Sequence, residues 1–597
     1  MVFSISQATH KCSLVFNRLL LYYLNNNIEL PKLDDQTLFN QCLKIGEAKM
    51  KKDNPHLRYV WEKYFKDYPR IPPISGDAQV YSYAAITYKT NFKNSLIYAF
   101  YGRQKRFIKC FLKQQNLNEK LVSSVMSKIN GFQCKTEPPQ ELIEFINWNR
   151  DILQNNGSIT HTWLGTHMQK VVIYYYQILK YLETFPDQRL FTLAPISKIK
   201  SHYMTIDKVV LRKLLMNSGK IKKISPEKFN EKLSEHWNSS FNTEIKKPEI
   251  KKPEIKKPET KNSEANKSET KNSEANNFEA NKSETKNSGK VFTGTIQTDG
   301  ISLCIHFRCP KKIIPAGNRQ IKKGDNRVIA IDPGKTNLIY GVEDLRNNNY
   351  KKYVLTRKTY YNQSGMTKAN KKAKTWEKQI EQEEKTYAEI SLKTTNEDKW
   401  EKFIENYISV YDTLWEQKTK TKWGQQRFRT YRLKQKCLDK FFASMRGPKR
   451  SENPVIAYGA AKFNPNSKSE LSAPTTSLSR KCSNFYPTVM VDEFRTTKIC
   501  YKCDCQLHPV SKKAPGYKYE TIKGVNIDMK VKKNVIIDRE IRGLRWCSST
   551  KCRKFYNRDL NAALNILRCY KSGTIRPGIL SRNCNEALGS STFLRIF

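Results

Sequence analysis

The chain has 597 residues, enough for two to four domains and at least one sizeable core, and its 38% hydrophobic and 27% charged composition is that of a globular protein. Its 107 Lys+Arg against 56 Asp+Glu leave a formal charge of +51, a surplus that would repel itself unless a polyanion offset part of it. Nucleic acid is the natural counterpart, and an AT-rich codon bias towards Lys does not explain why acidic residues lag so far behind.

The most apolar run near the start, residues 13–24 (SLVFNRLLLYYL), is too short to span a bilayer, contains Asn17 and Arg18, and lacks the small-residue cleavage site of a secretory signal. No membrane association is expected. The 15 cysteines are scattered along a long chain, which points to a reducing, intracellular compartment rather than a disulfide framework. Residues 1–243 read as mainly helical. Within them the aromatic-rich run Met168–Leu182 (MQKVVIYYYQILKYL) is expected to be a buried helix, not a base-stacking surface.

Residues 244–289 stand apart. They open with IKKPE repeats and carry glutamate at every fifth position, a period that suits neither helix nor strand, with almost nothing apolar to bury; a low-complexity, disordered tether is expected. Beyond it, Lys290–Phe307 alternates apolar and polar residues around Thr298-Asp299-Gly300, which predicts a β-hairpin. Strands are predicted at Val328–Ile331, Leu338–Val342 and Tyr350–Leu355, the first ending in Asp332-Pro333-Gly334.

The charged stretch 362–450 reads as helical. Its last helix bears Arg427, Arg429, Arg432, Lys434, Lys436 and Lys440 with Phe428, Tyr431, Leu438 and Phe442 interleaved, which predicts one apolar face and one basic face. Arg427, Arg429, Arg432 and Lys436 are the candidate phosphate contacts, against the plain alternative of a solvated charged face. Strands resume at Pro454–Tyr458 and Tyr486–Val491, the second running into Asp492 and Glu493, and a final helix begins near Asn557.

Three acids sit where rigid elements end: Asp332 after a buried strand, Glu493 after another, and Asp559 in the first turn of the last helix, where it suits the helix dipole. Each alone reads as a cap or turn residue. Together they are the pattern required to hold two Mg²⁺ ions for phosphodiester hydrolysis. Asp492 is the reserve for Glu493, since neighbouring strand residues face opposite ways.

Cys500-x2-Cys503 and Cys547-x4-Cys552 have the paired spacing of a structural, four-thiolate Zn²⁺ site. Such an ion would staple together the segments carrying Glu493 and Asp559. The 43 residues between the pairs predict an inserted finger or hairpin, and Cys505 and His508 are possible substitute ligands.

At these residues the chain resembles the TnpB and Fanzor family of transposon-associated, RNA-guided nucleases, relatives of the type V CRISPR effectors. The carrying motifs are AIDPG (330–334), VDEFRTTKICYKC (491–503) and NRDLNAALNI (557–566). FTLAPISKIKSHYMTIDKVVLRKLL (191–215), YGAAKFNP (458–465) and SAPTTSLSR (472–480) bring it nearest to Fanzor, the eukaryotic and giant-virus branch. The likeness is strong over about 290–573, looser over 191–243 and general before that. In TnpB the second catalytic acid follows the fourth strand, which here ends in Gly459, Ala460 and Ala461; in Fanzor a glutamate of the DEFRT motif takes that role, so it falls to Glu493.

The resemblance implies a multidomain α+β protein. A helical recognition lobe with part of a wedge-like β-barrel would occupy 1–243, with the final wedge hairpin and connector at 290–325. An RNase H-like (RuvC) nuclease domain would span 326–573, with a helical insert at about 362–450 and a zinc-ribbon-like module at about 494–556, before a tail at 574–597. It implies an RNA-guided DNA endonuclease with Asp332, Glu493 and Asp559 on Mg²⁺, and a monomeric complex with a structured guide RNA and a double-stranded DNA target. In a eukaryotic or viral host its place would be the nucleus. The alternatives are a nuclease-inactive, RNA-guided repressor and an RNA-independent DNA-binding protein.

Overall fold

The computed structural model describes residues 1–46, 54–72, 74, 78–134, 136–155, 157–241, 291–308, 327–345, 349–448, 452–461, 473–522, 529–573, 576–582 and 594–596. The tether expected at 244–289, the connector at 309–325 and most of the tail at 574–597 lie outside them. The chain is a multidomain α+β protein of two compact units: Met1–Lys311 with Glu377–Gln425, and Lys312–Trp376 with Gln426–Phe597.

The first unit is built around helix α1 (Val2–Asn25), apolar on nearly every side and buried along most of its length. Around it pack α2 (Ala78–Gln114) and α3 (Met168–Glu183). Several buried polar residues of α1 are held by a partner from outside the helix. Asn17 donates to the Ala194 carbonyl at 3.1 Å and accepts from the Ala194 N–H at 2.9 Å. The tyrosines of α3 are core residues: the Tyr174 hydroxyl donates to Asn149 at 2.6 Å and that of Tyr175 to the Leu96 carbonyl at 2.7 Å. Among the described residues no helix is long and apolar enough to cross a membrane.

Strand β1 (Met204–Ile206) pairs antiparallel with β2 (Val291–Thr298), and β2 with β3 (Leu303–Arg308). The hairpin turn follows from Asp299, whose Oδ1 accepts from the N–H groups of Ile301 and Ser302 at 3.2 and 2.8 Å, and from Gly300 at φ 85°. The described strands form an open three-stranded sheet and close no barrel.

Glu377–Gln425 joins this unit through α4 (Glu397–Ser409) and α5 (Tyr411–Thr419). Thus the helical stretch expected at about 362–450 is divided between the two units. The joint is electrostatic as well as apolar. Arg18, fully buried on α1, meets Glu397 at 2.7 Å, and Glu397 also accepts from Tyr64 at 2.9 Å. Glu183 at the end of α3 accepts from the Thr395 N–H and hydroxyl at 2.9 and 2.6 Å.

In the second unit, β4 (Val328–Asp332), β5 (Asn337–Asp344) and β6 (Tyr350–Thr356) form an antiparallel meander, and β7 (Val455–Gly459) and β8 (Thr488–Val491) add parallel to β4, giving the order β6-β5-β4-β7-β8. Side chains alternate between the faces. Ile329, Ile331, Ile456 and Tyr458 pack on one side with Leu438 and Phe442 of α6 (Thr421–Ala443) and with Leu478 and Cys482 of α7 (Thr475–Phe485). Ala330, Val455, Ala457 and Val491 face the other way, onto Ile566 and Leu567 of α8 (Arg558–Lys571).

Although burial opposes it, Arg18 and its neighbours hold the Glu397 carboxyl down to about 2. Its contribution to stability is therefore complete above the ordinary glutamate range and is lost as the pH falls towards 2. Glu397→Gln, which removes the counter-charge of the buried Arg18 guanidinium, is expected to destabilise the first unit by about 2–3 kcal/mol at pH 7. Denaturant titrations at pH 7 and pH 3 check this: the gap between wild type and variant should narrow at pH 3.

Candidate functional site

Strand parity decides which acids meet. Asp332 has the parity of Ala330, so it faces α8, and Glu493, just past β8, shares the parity of Val489 and Val491. Asp559 lies in the first turn of α8, whose start is fixed by the Asn557 side chain accepting from the Leu560 N–H at 2.9 Å. All three expected acids converge at one end of the sheet. Their effect on one another is direct: burial first, then the charges of Glu493 and Asp559, hold the Asp332 carboxyl well above the usual carboxylate range, with Arg558 opposing.

Each of the other two acids is held by its own contacts. Asn337, at the start of β5, donates to Asp559 Oδ2 at 2.8 Å, and the Arg558 Nε donates to Oδ1 at 3.1 Å. The Glu493 Oε1 accepts from the Ala461 N–H at 3.0 Å. Burial pushes Glu493 up to about 7, although that N–H opposes it.

Two glycines make room for this. A Cβ at Gly459 would fall on the Glu493 carboxylate and lie 2.8 Å from Pro333 Cδ. The space beside Gly459 is therefore filled by the carboxylate of Glu493, reaching across from just past β8. A Cβ at Gly334 would lie 2.6 Å from the Asn337 carbonyl, so the turn after Asp332 closes onto the residue that holds Asp559.

Asp492 points away. Arg582 donates to both of its oxygens at 2.7 and 2.8 Å, and that bond holds its carboxyl below the ordinary aspartate range. It is a partner of the C-terminal segment, not a fourth acid of the site.

The four expected cysteines form a second centre. The sulfurs of Cys500, Cys503, Cys547 and Cys552 all lie within 4.8 Å of one another, with Cys503 and Cys547 at 3.5 Å and Cys500 and Cys552 at 4.0 Å. Four bonds of about 2.3 Å to a tetrahedral Zn²⁺ require sulfur–sulfur edges of about 3.8 Å, so the donor set fits such an ion. Among the described residues it is the one cluster of potential ligands drawn together this tightly; the carboxylates are held further apart, each by its own partners.

Cys505 is exposed and gives its carbonyl to the Cys500 N–H at 2.9 Å, while His508 bonds Ser548 at 3.3 Å; neither joins the cluster. The inserted finger is the long hairpin of β9 (Leu507–Ile522) and β10 (Met529–Cys547), with β11 (Lys554–Asn557) pairing on β10 and leading into α8.

Asn561 and Asn565, both fully buried on α8, join the two centres. Each donates to the carbonyls of Thr496 and Ile499, at 2.7–3.0 Å, and Asn561 also accepts from the Tyr501 N–H at 3.0 Å. Arg568 adds bonds to the Tyr501 carbonyl and to Asp504. The loop between Glu493 and the first cysteine pair is thereby stitched to the helix that carries Asp559. Sequence reasoning missed these asparagines. The signal was present in the spacing 557, 561, 565: one helical stripe of a residue with poor helix propensity.

The candidate phosphate contacts lie on α6. Arg429, Arg432 and Lys436 are exposed, and Arg427 is half-buried. The expected apolar face holds only for the C-terminal half, where Leu438 and Phe442 are buried; Phe428 and Tyr431 are exposed. No model of a known protein family matches the chain, and neither does any curated protein.

Gly459→Ala is expected to displace the Glu493 carboxylate and press on the Pro333 ring, lowering the melting temperature of the second unit by several degrees; thermal denaturation checks this. Cys500→Ser should lose bound zinc, measured by metal analysis of the purified protein, together with thermal stability. Retained zinc at wild-type stability would refute that role.

Proposed function

We propose that the chain is an RNA-guided DNA endonuclease of the Fanzor kind, with an RNase H-like (RuvC) nuclease domain in the second unit. The observation that carries this reading is the convergence of Asp332, Glu493 and Asp559, close enough that two of them raise the third. The strand order is further support, because a meander followed by two parallel strands, with a helix over the acid-bearing face, is the pattern of RNase H-like domains.

The site suits Mg²⁺ by its chemistry: a buried carboxylate made costly by two neighbouring acids, in a set of hard oxygen donors. Asp332, Glu493 and Asp559 would hold the metal. When bound it supplies charge neutralisation at the scissile phosphate and lowers the pKa of a water. The chain's own residues do the positioning. Asn337 and Arg558 orient Asp559, the Ala461 N–H orients Glu493, and Gly459 leaves the space that Glu493 enters.

The cysteine cluster would hold Zn²⁺ in a structural role, since thiolates fill every position. The +51 charge would be met by a structured guide RNA and the target DNA, with base pairing supplying sequence and the protein reading shape. In a eukaryotic or viral host the complex would work in the nucleus.

The deciding experiment purifies the protein expressed with its native flanking sequence, sequences the RNA that accompanies it, and uses that RNA to direct Mg²⁺-dependent cutting of a matching duplex. A discrete structured RNA with cutting is expected; random RNA or none, from a folded protein, would overturn the guided reading. Asp332→Asn and Glu493→Gln should each slow cutting about a thousandfold with RNA binding unchanged, the loss of roughly 4 kcal/mol of metal-centred stabilisation. Asp492→Asn should cut at near the wild-type rate, and its loss of activity would reverse the assignment of Glu493.

A further inference from the structure

Helix α6 carries two features on one exposed face. Arg429, Arg432, Lys436 and Lys440 recur at helical spacing over about 16 Å, and among the described residues none of them forms an ion pair. The nearby acid, Asp439, is engaged by Lys481 at 2.6 Å. Beside this stripe stand two large rings, Phe428 at 38% and Tyr431 at 59% exposure, with the Arg432 guanidinium 5.9 Å from the centre of the Phe428 ring.

The opposite side of the helix, through Cys437, Leu438 and Phe442, is anchored in the core against the sheet. The face is therefore presented by a rigid element. A solvated charged face accounts for the cations. It does not account for a pair of rings left in water at i, i+3 among them, because burying such rings is worth about 1.5–3 kcal/mol each.

We propose that this face of α6 is a platform for unpaired nucleotides. The phosphates of a single strand run along Arg429, Arg432, Lys436 and Lys440, and a base stacks on Phe428 and Tyr431. Charge complementarity selects a polyanion, and the rings select one whose base faces are free. A duplex buries those faces in its own stack and would engage only the cations. The inference deepens the nuclease reading and rests on it for the kind of partner; the strand is a segment of the guide or of the displaced DNA.

The test uses the full-length protein with single-stranded DNA and RNA oligonucleotides carrying 4-thiothymidine or 4-thiouridine, and a hairpin duplex of equal length. Ultraviolet crosslinks mapped by mass spectrometry are expected within 428–440, and the sugar that crosslinks better identifies the source. In fluorescence anisotropy, Phe428→Ala with Tyr431→Ala should weaken single-strand binding roughly tenfold to a hundredfold, leaving duplex binding and the salt dependence unchanged. Arg429→Gln with Arg432→Gln and Lys436→Gln should instead lower the slope of log affinity against log salt by about 2. All five side chains are exposed, so melting temperatures should match wild type.

Crosslinks confined to other segments would overturn the platform. So would wild-type single-strand affinity in the double aromatic variant, or an equal loss for the duplex. If that variant binds normally and still cuts under guide RNA, the platform alone fails. If no preparation cuts yet the crosslinks fall on α6, the nuclease reading fails and the platform stands.

Discussion

Carboxylates repel one another, so three of them stay at one end of a sheet only where the surrounding structure holds each in place independently. Here the holding is done by α8. Its face towards the sheet sets Ala563 with Tyr340 and Val342, and Ile566 and Leu567 with Ala330 and Ala457, and Asp559 at its start bears on Asp332. Its other contacts run through Asn561 and Asn565 to the backbone of the loop that follows Glu493. These bonds are buried and every donor is satisfied, which makes them costly to break and keeps the loop from drifting. The acids, the helix and the cysteine turn thus form one mechanical unit.

The cysteine cluster extends that unit. Cys500 and Cys503 follow the stitched loop, and Cys547 and Cys552 precede α8, so a metal joining them would close a ring of chain around the acid site. The long β9–β10 hairpin is an insertion into this ring that leaves its closure intact, because β10 returns to pair with β11 immediately before the helix. In the first unit an analogous closure is made without metal. Arg18 and Glu183 capture the start of α4 across several hundred residues of sequence, and the aromatic residues of α4 and α5 complete the packing.

The space that Gly459 leaves open is taken by the carboxylate of Glu493. Gly459 ends β7 and Glu493 lies just past the neighbouring parallel strand β8, and the glutamate side chain spans the gap that the glycine leaves. The Ala461 N–H holds that carboxylate in place, donating to Glu493 Oε1 at 3.0 Å.

Much of this could be read along the chain. Alternation and β-branched runs located every strand of the central sheet, Asn557 located the start of α8, and the Cys-x2-Cys and Cys-x4-Cys spacings located the metal-ligand set, because each is a one-dimensional signature of local geometry. What the sequence could not decide depended on facing and distance. Glu493 rather than Asp492 belongs to the site because parity and the reach of Arg582 separate them. Cys505 and His508 stay outside the cluster because the turn spends the Cys505 carbonyl on Cys500 and aims His508 at Ser548. Phe428 and Tyr431 are exposed while Leu438 and Phe442 of the same helix are buried, a difference invisible to helical periodicity. Residues 377–425 belong with the first unit because Arg18 and Glu183 supply partners there. The sequence by itself determined the elements and the chemistry they carry; the tertiary structure decided which side chains meet, because only packing chooses among partners that are distant along the chain.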